Sequence, residues 1–198
     1  VRADLMVRLG EAAFRAGDPT ALDTIESASE LGRTCGDVAT IIRAAVVVGP
    51  GTIRLGAFAP RQLAIVEAAA ARIDDGDVDD DTRARVLASL AQSLLHTDQH
   101  ERRVAAANES LALARASADP TLLARVAPDL LYALWLPGGT QQRMALATEA
   151  LAVAQQMGEQ TLLLNLHYLA HTAAVCAADA EAASLHLDAV RRIASEVN

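Results

Sequence analysis

The chain has 198 residues, a formal net charge of -8, and 44 alanines and 27 leucines against 3% aromatic residues, so helix formers dominate and strand formers are scarce. All 17 basic residues are arginines, and a surface this acidic repels a phosphate backbone, so direct nucleic-acid binding is not expected. The absence of lysine excludes, within this segment, the phosphate-gripping residue of a P-loop and the amine of a Schiff base.

In chain order, apolar periodicity predicts helices over 2–16 and 19–35, parted by Gly17-Asp18-Pro19, and a third over 37–48 that opens at Asp37 after Gly36. Gly49-Pro50-Gly51 stops it, and 49–59 is the longest irregular stretch before a helix over 60–73. The run Asp74-Asp75-Gly76-Asp77-Val78-Asp79-Asp80-Asp81 resembles a calcium loop only on the surface, because the required Gly and terminal Glu are missing. A solvated linker whose last aspartates cap the following helix is the favoured reading, with weak divalent-ion binding as the alternative. Helices over 81–96, 99–117, 119–135, 139–157, 159–177 and 179–197 complete the chain, with Asp119 as cap, Pro120 in the first turn, and Pro137-Gly138-Gly139 and Gly158 as breakers.

The second half repeats with a period of 40. Glu101-Arg102-Arg103-Val104 lies above Gln141-Gln142-Arg143-Met144, and Asn108-Glu109-Ser110-Leu111-Ala112 above Thr148-Glu149-Ala150-Leu151-Ala152. A looser copy begins at Glu181, and the preceding helix keeps the same register, Ala84-Arg85-Val86 above Ala124-Arg125-Val126. Helices such as 159–177 are apolar nearly all round, so no pair can bury itself alone. The expected fold is therefore all-α: one domain over 1–198, an α-solenoid of about five antiparallel helix pairs with first helices inside and second helices outside.

The stretches Arg8-Leu9-Gly10-Glu11-Ala12, Ala16-Gly17-Asp18-Pro19-Thr20 and Glu30-Leu31-Gly32 resemble the tetratricopeptide-like region of large ATP-binding, LuxR-type transcriptional regulators. Arg83 through Ala91, Glu101-Arg102-Arg103, Glu109 through Arg115 and Tyr132-Ala133-Leu134-Trp135 are similar to the same family's repeats. The resemblance implies a multidomain cytoplasmic regulator, with a nucleotide-binding switch before the repeats and often a helix-turn-helix after them. This segment would then be its non-catalytic sensor arm. The period of 40 departs from the about 34 of tetratricopeptide repeats, so no peptide-clamp residue is carried over.

In the 40-residue register Arg43, Arg85, Arg125 and Asn165 share one column of the first helices, and Gln92, Tyr132 and Thr172 another. With Asp129 between them they form a candidate polar strip along the concave face, suited to a carboxylate, an acidic peptide or a neighbouring domain. The alternative is solvated or inter-helix pairing, such as Arg125 with Asp129 at i,i+4. Pro128 is expected to bend its helix. His167 with His171, and His96 with His100, are each half of a metal site, and packed or solvated histidines explain them better, so neither metal nor cofactor is expected. Trp135 reads as core packing, with a partner anchor as the alternative.

Cys35 and Cys176 stand far apart without a C-x-x-C partner, no stretch is apolar enough to span a bilayer, and no signal-peptide core opens the chain. A cytoplasmic protein is expected, and Val1 suggests a piece of something longer. Its partners would be a protein, peptide or small effector, other domains of the same chain, or a second copy through 179–197 or the first pair. A free-standing repeat adaptor is the second reading, and a metal-dependent helical enzyme a weaker third.

Overall fold

A computed structural model describes residues 2–49, 59–75 and 78–197. Ten helices run through these residues: α1 (Arg2–Arg15), α2 (Ala21–Cys35), α3 (Val38–Val48), α4 (Pro60–Ala70), α5 (Asp80–Ser93), α6 (His100–Ala116), α7 (Thr121–Ala133), α8 (Thr140–Met157), α9 (Gln160–Cys176) and α10 (Ala180–Val197). All ten predicted helices are present. Pro50 and Gly51, most of the 49–59 stretch, and Gly76 and Asp77 of the acidic run lie outside the described residues.

Where boundaries differ, local hydrogen bonding explains it. α4 and α5 end three residues early because their last turns tighten, with Arg72 N–H donating to Ala69 O and Leu95 N–H to Gln92 O, both over three residues. Asp119-Pro120-Thr121 does not place proline inside the helix. Asp119 instead accepts from the Thr121 amide at 2.8 Å and its hydroxyl at 2.7 Å, an Asx turn, and α7 starts at Thr121. Asp18 does the same with Thr20. Asp37 and Asp79 are true caps, accepting from the amides of Thr40 and Thr82. These bonds from Thr20, Thr40, Thr82 and Thr121 hold all four carboxyls below the usual aspartate range.

Consecutive helices pair antiparallel, and the pairs stack. Among the described residues the backbone of each odd helix comes close to that of the next odd one from α1 to α9, whereas among even helices only the α2 and α4 backbones come that close. The odd row is the compressed layer, which is the inner side of a curved stack. Small side chains permit that closeness: Ala44, Ala84 and Ala124, one per repeat, are fully buried. At the α3 terminus a Cβ on Gly49 would lie 1.8 Å from Ser89 Oγ, so only glycine fits against α5 there.

The more widely spaced even row is bridged by long ion pairs. Arg61 of α2's neighbour α4 reaches Asp23 and Glu26, Arg102 of α6 grips Glu67 of α4 at 2.5 and 2.6 Å, and Arg115 of α6 meets Glu149 of α8 at 2.7 Å. Each is exposed and contributes little stability, so the stack is held by its apolar seams. Among the described residues no helix is long and apolar enough to cross a membrane.

Candidate functional site

The predicted strip does not persist as one surface; the fold divides it into four environments. Arg43 of α3 pairs with Asp4 and Glu11 of α1 at 3.3 and 3.2 Å. It lines a cavity of about 600 Å³ with Arg85, against Val38, Ile42, Val46 and Val78. Arg125 is exposed and pairs with Glu159 at the start of α9 at 2.7 Å, not with Asp129, because Asp129 points into the interior one helical turn on. Thr172 leaves the strip altogether, accepting at 3.2 Å from Nη2 of Arg143 on α8.

The remaining four residues come together. Gln92 of α5, Asp129 and Tyr132 of α7 and Asn165 of α9 line one cavity of about 530 Å³. Pro128, Leu164 and Tyr168 add to its wall, and Val190 and Ala194 of α10 close another side. Second helices were expected only on the outer side. The C-terminal half of α10 departs from that and borders the inner cavity.

Asp129 is the unusual member. It is 4% exposed, it makes no hydrogen bond among the described residues, and burial raises its carboxyl to about 7. Such groups normally find a partner when buried. Gln92 and Tyr132 are also buried, Tyr168 is partly open, and burial pushes the Tyr132 hydroxyl upward as well. α7 runs through Pro128 as one helix, although the missing amide leaves the Ala124 carbonyl without its usual i+4 donor.

Two buried arginines occupy a column not singled out from the sequence. Arg103 and Arg143, 40 apart, are 3% and 1% exposed. Each donates to a carbonyl at the end of the preceding odd helix, Arg103 to Leu95 O at 3.2 Å and Arg143 to Leu131 O at 2.9 Å. Their alignment under the repeat, as the one residue shared by 101–104 and 141–144, was the available signal. Trp135, expected in the core, is 41% exposed and lies over the Arg143 guanidinium at 4.5 Å. With His96, His100 and Arg103 it lines a separate cleft.

The other histidines turn to α10. His167 Nδ1 lies 3.1 Å from His186 Nδ1, one donating and the other accepting, and His171 Nδ1 donates to Ala183 O at 2.9 Å. Among the described residues no group of three or more potential metal ligands is found.

No family model and no curated protein matches the chain. Its architecture is similar to that in the crystal structure of BtubC (BKLC) from P. vanneervenii, with a TM-score of 0.61 and 16% sequence identity over 100% of this chain and 90% of that one. The fold is an all-helical stack of antiparallel pairs. At that identity the likeness extends to the fold alone.

Proposed function

We propose that this chain is a non-catalytic binding segment, the sensor arm of a cytoplasmic signal-transducing regulator of the LuxR-like kind, and that its ligand enters from the odd-helix face. The observation that supports this reading is the cavity built by Gln92, Asp129, Tyr132 and Asn165, residues from three successive repeats converging on a buried carboxyl without a partner. A site shared between repeats changes shape whenever neighbouring pairs shift, so occupancy is transmitted along the stack to whatever adjoins it. The resemblance of Arg8 through Ala12 and Glu109 through Arg115 to regulator repeats supplies the cellular setting.

Two measurements test the reading. Native mass spectrometry of the chain purified from host lysate, beside a Gln92→Ala/Asn165→Ala variant of unchanged helicity, is expected to show a ligand or partner retained by the first and lost by the second. Equal retention removes the cavity from the argument. The flanking reading frame is expected to encode a phosphate-binding loop upstream; stop codons directly around the segment would leave the adaptor reading instead.

A further inference from the structure

We infer that the cavity between α5, α7, α9 and α10 is a binding site for a small organic ammonium ion, with Asp129 as its counter-ion and Tyr132 and Tyr168 as its aromatic walls. The inference deepens the proposed binding role and rests on it.

Among the described residues Asp129 is the only carboxyl on the cavity wall, and none of them hydrogen-bonds or ion-pairs with it. The neighbouring cations are already committed. Arg125, one turn earlier on α7, is held by Glu159, and Arg143, beyond Tyr132, is held by the Leu131 carbonyl, Thr172 and the Trp135 ring. The positive charge that would favour the ionised form of Asp129 is left for a ligand to bring.

The rest of the wall fits an ammonium carried on a hydrocarbon body. Tyrosine faces attract cations, the amide oxygens of Gln92 and Asn165 accept N–H donors, and Leu164 and Val190 offer apolar contact. An anion meets the opposite arrangement, because a buried carboxylate with no intervening cation repels it. The chain's net charge of -8 draws cations toward the molecule as a whole. In the empty protein burial holds much of the Asp129 population protonated near neutrality, so an arriving ammonium displaces that proton to solvent as it forms the ion pair.

Benzylammonium, benzyl alcohol and benzoate share one body and differ in charge, which makes them suitable probes for titration of the whole chain by calorimetry and amide-resolved NMR. Benzylammonium is expected to bind at least about tenfold more tightly than benzyl alcohol, with shifts confined to the end of α5, α7, α9 and the end of α10, and benzoate not at all. Asp129→Asn, nearly isosteric, is expected to erase that preference. Tyr168→Ala, at a partly open position that tolerates change, is expected to weaken benzylammonium alone by about threefold to tenfold. Equal binding of the alcohol, undiminished binding to Asp129→Asn, or no saturable shift at about 10 mM overturns the inference. If benzylammonium fails while Gln92→Ala/Asn165→Ala still loses the natural ligand, the ammonium class falls and the binding face stands; if both fail, the binding face falls as well.

Discussion

Arg143 and Asp129 are a buried base and a buried acid on adjoining helices, and their surroundings are opposite too. Arg143 is enclosed by a carbonyl, a hydroxyl and an indole ring, while Asp129 faces a cavity with no partner among the described residues. The two do not pair with each other. A buried charge that is fully held ties elements together; one left bare destabilises the empty protein and is repaid only by something that arrives. The first marks the framework of this molecule and the second marks its candidate site.

The largest effect belongs to the framework. Arg143→Ala removes a fully buried side chain that closes the end of α7, and denaturant unfolding is expected to show a loss of roughly 4–5 kcal/mol. A loss below about 1 kcal/mol would erase the distinction drawn from its three partners.

Asp129→Asn should go the other way. The folded-state value of about 7 lies above the ordinary 3.8, so the acid contributes most below pH 3.8 and loses that contribution as pH rises through about 7. The shift of about three units sets a ceiling of ~4 kcal/mol, which the new amide's own unmet hydrogen bonds reduce to ~3 kcal/mol of stabilisation at about pH 8. Unfolding curves of both proteins across pH check it, with the gain expected to vanish near about pH 4.

Arg103 sharpens the comparison because it shares the Arg143 column with fewer partners. Its Nε is buried without a hydrogen bond, so Arg103→Met, of similar volume, is expected to cost no more than about 1 kcal/mol by the same unfolding assay.

The α9–α10 seam responds to acid instead. Burial chiefly lowers the pKa values of both His167 and His186, with His186 and Arg192 adding to the effect on His167 and His171 to that on His186. The neutral forms stabilise docking above the ordinary 6.5, and this is lost as pH falls through the lowered values. Amide exchange within α10, corrected for intrinsic rate, is expected to accelerate on acidification while α5 and α7 stay protected. Smallest of all, Arg125→Ala is expected to change stability by less than about 0.5 kcal/mol, since its pair with Glu159 is open to water.

Much of the architecture was legible because it rests on local rules and repetition. The second helices begin at Ala21, Pro60, His100, Thr140 and Ala180, spaced 39, 40, 40 and 40, and the 40-residue register read from Glu101 and Gln141 is that spacing. The helix punctuation at Gly36 and Gly158, both with φ of 69°, was equally plain. The site was legible in part. Gln92, Asp129, Tyr132 and Asn165 were grouped in advance because columns on one helical face approach one another, but Arg125 and Thr172 were grouped with them for the same reason and lie elsewhere.

Periodicity and turn chemistry within the chain determined that this protein is a run of helix pairs needing neighbours, since those properties depend on residues three, four or forty positions apart. Only the tertiary structure decided which polar residues of the strip are paired, buried or left facing a cavity. A helical position covers a broad arc, and a few tens of degrees of rotation against the next helix separates an exposed Arg125 from an enclosed Asp129, an angle that packing of whole layers sets and no local pattern encodes.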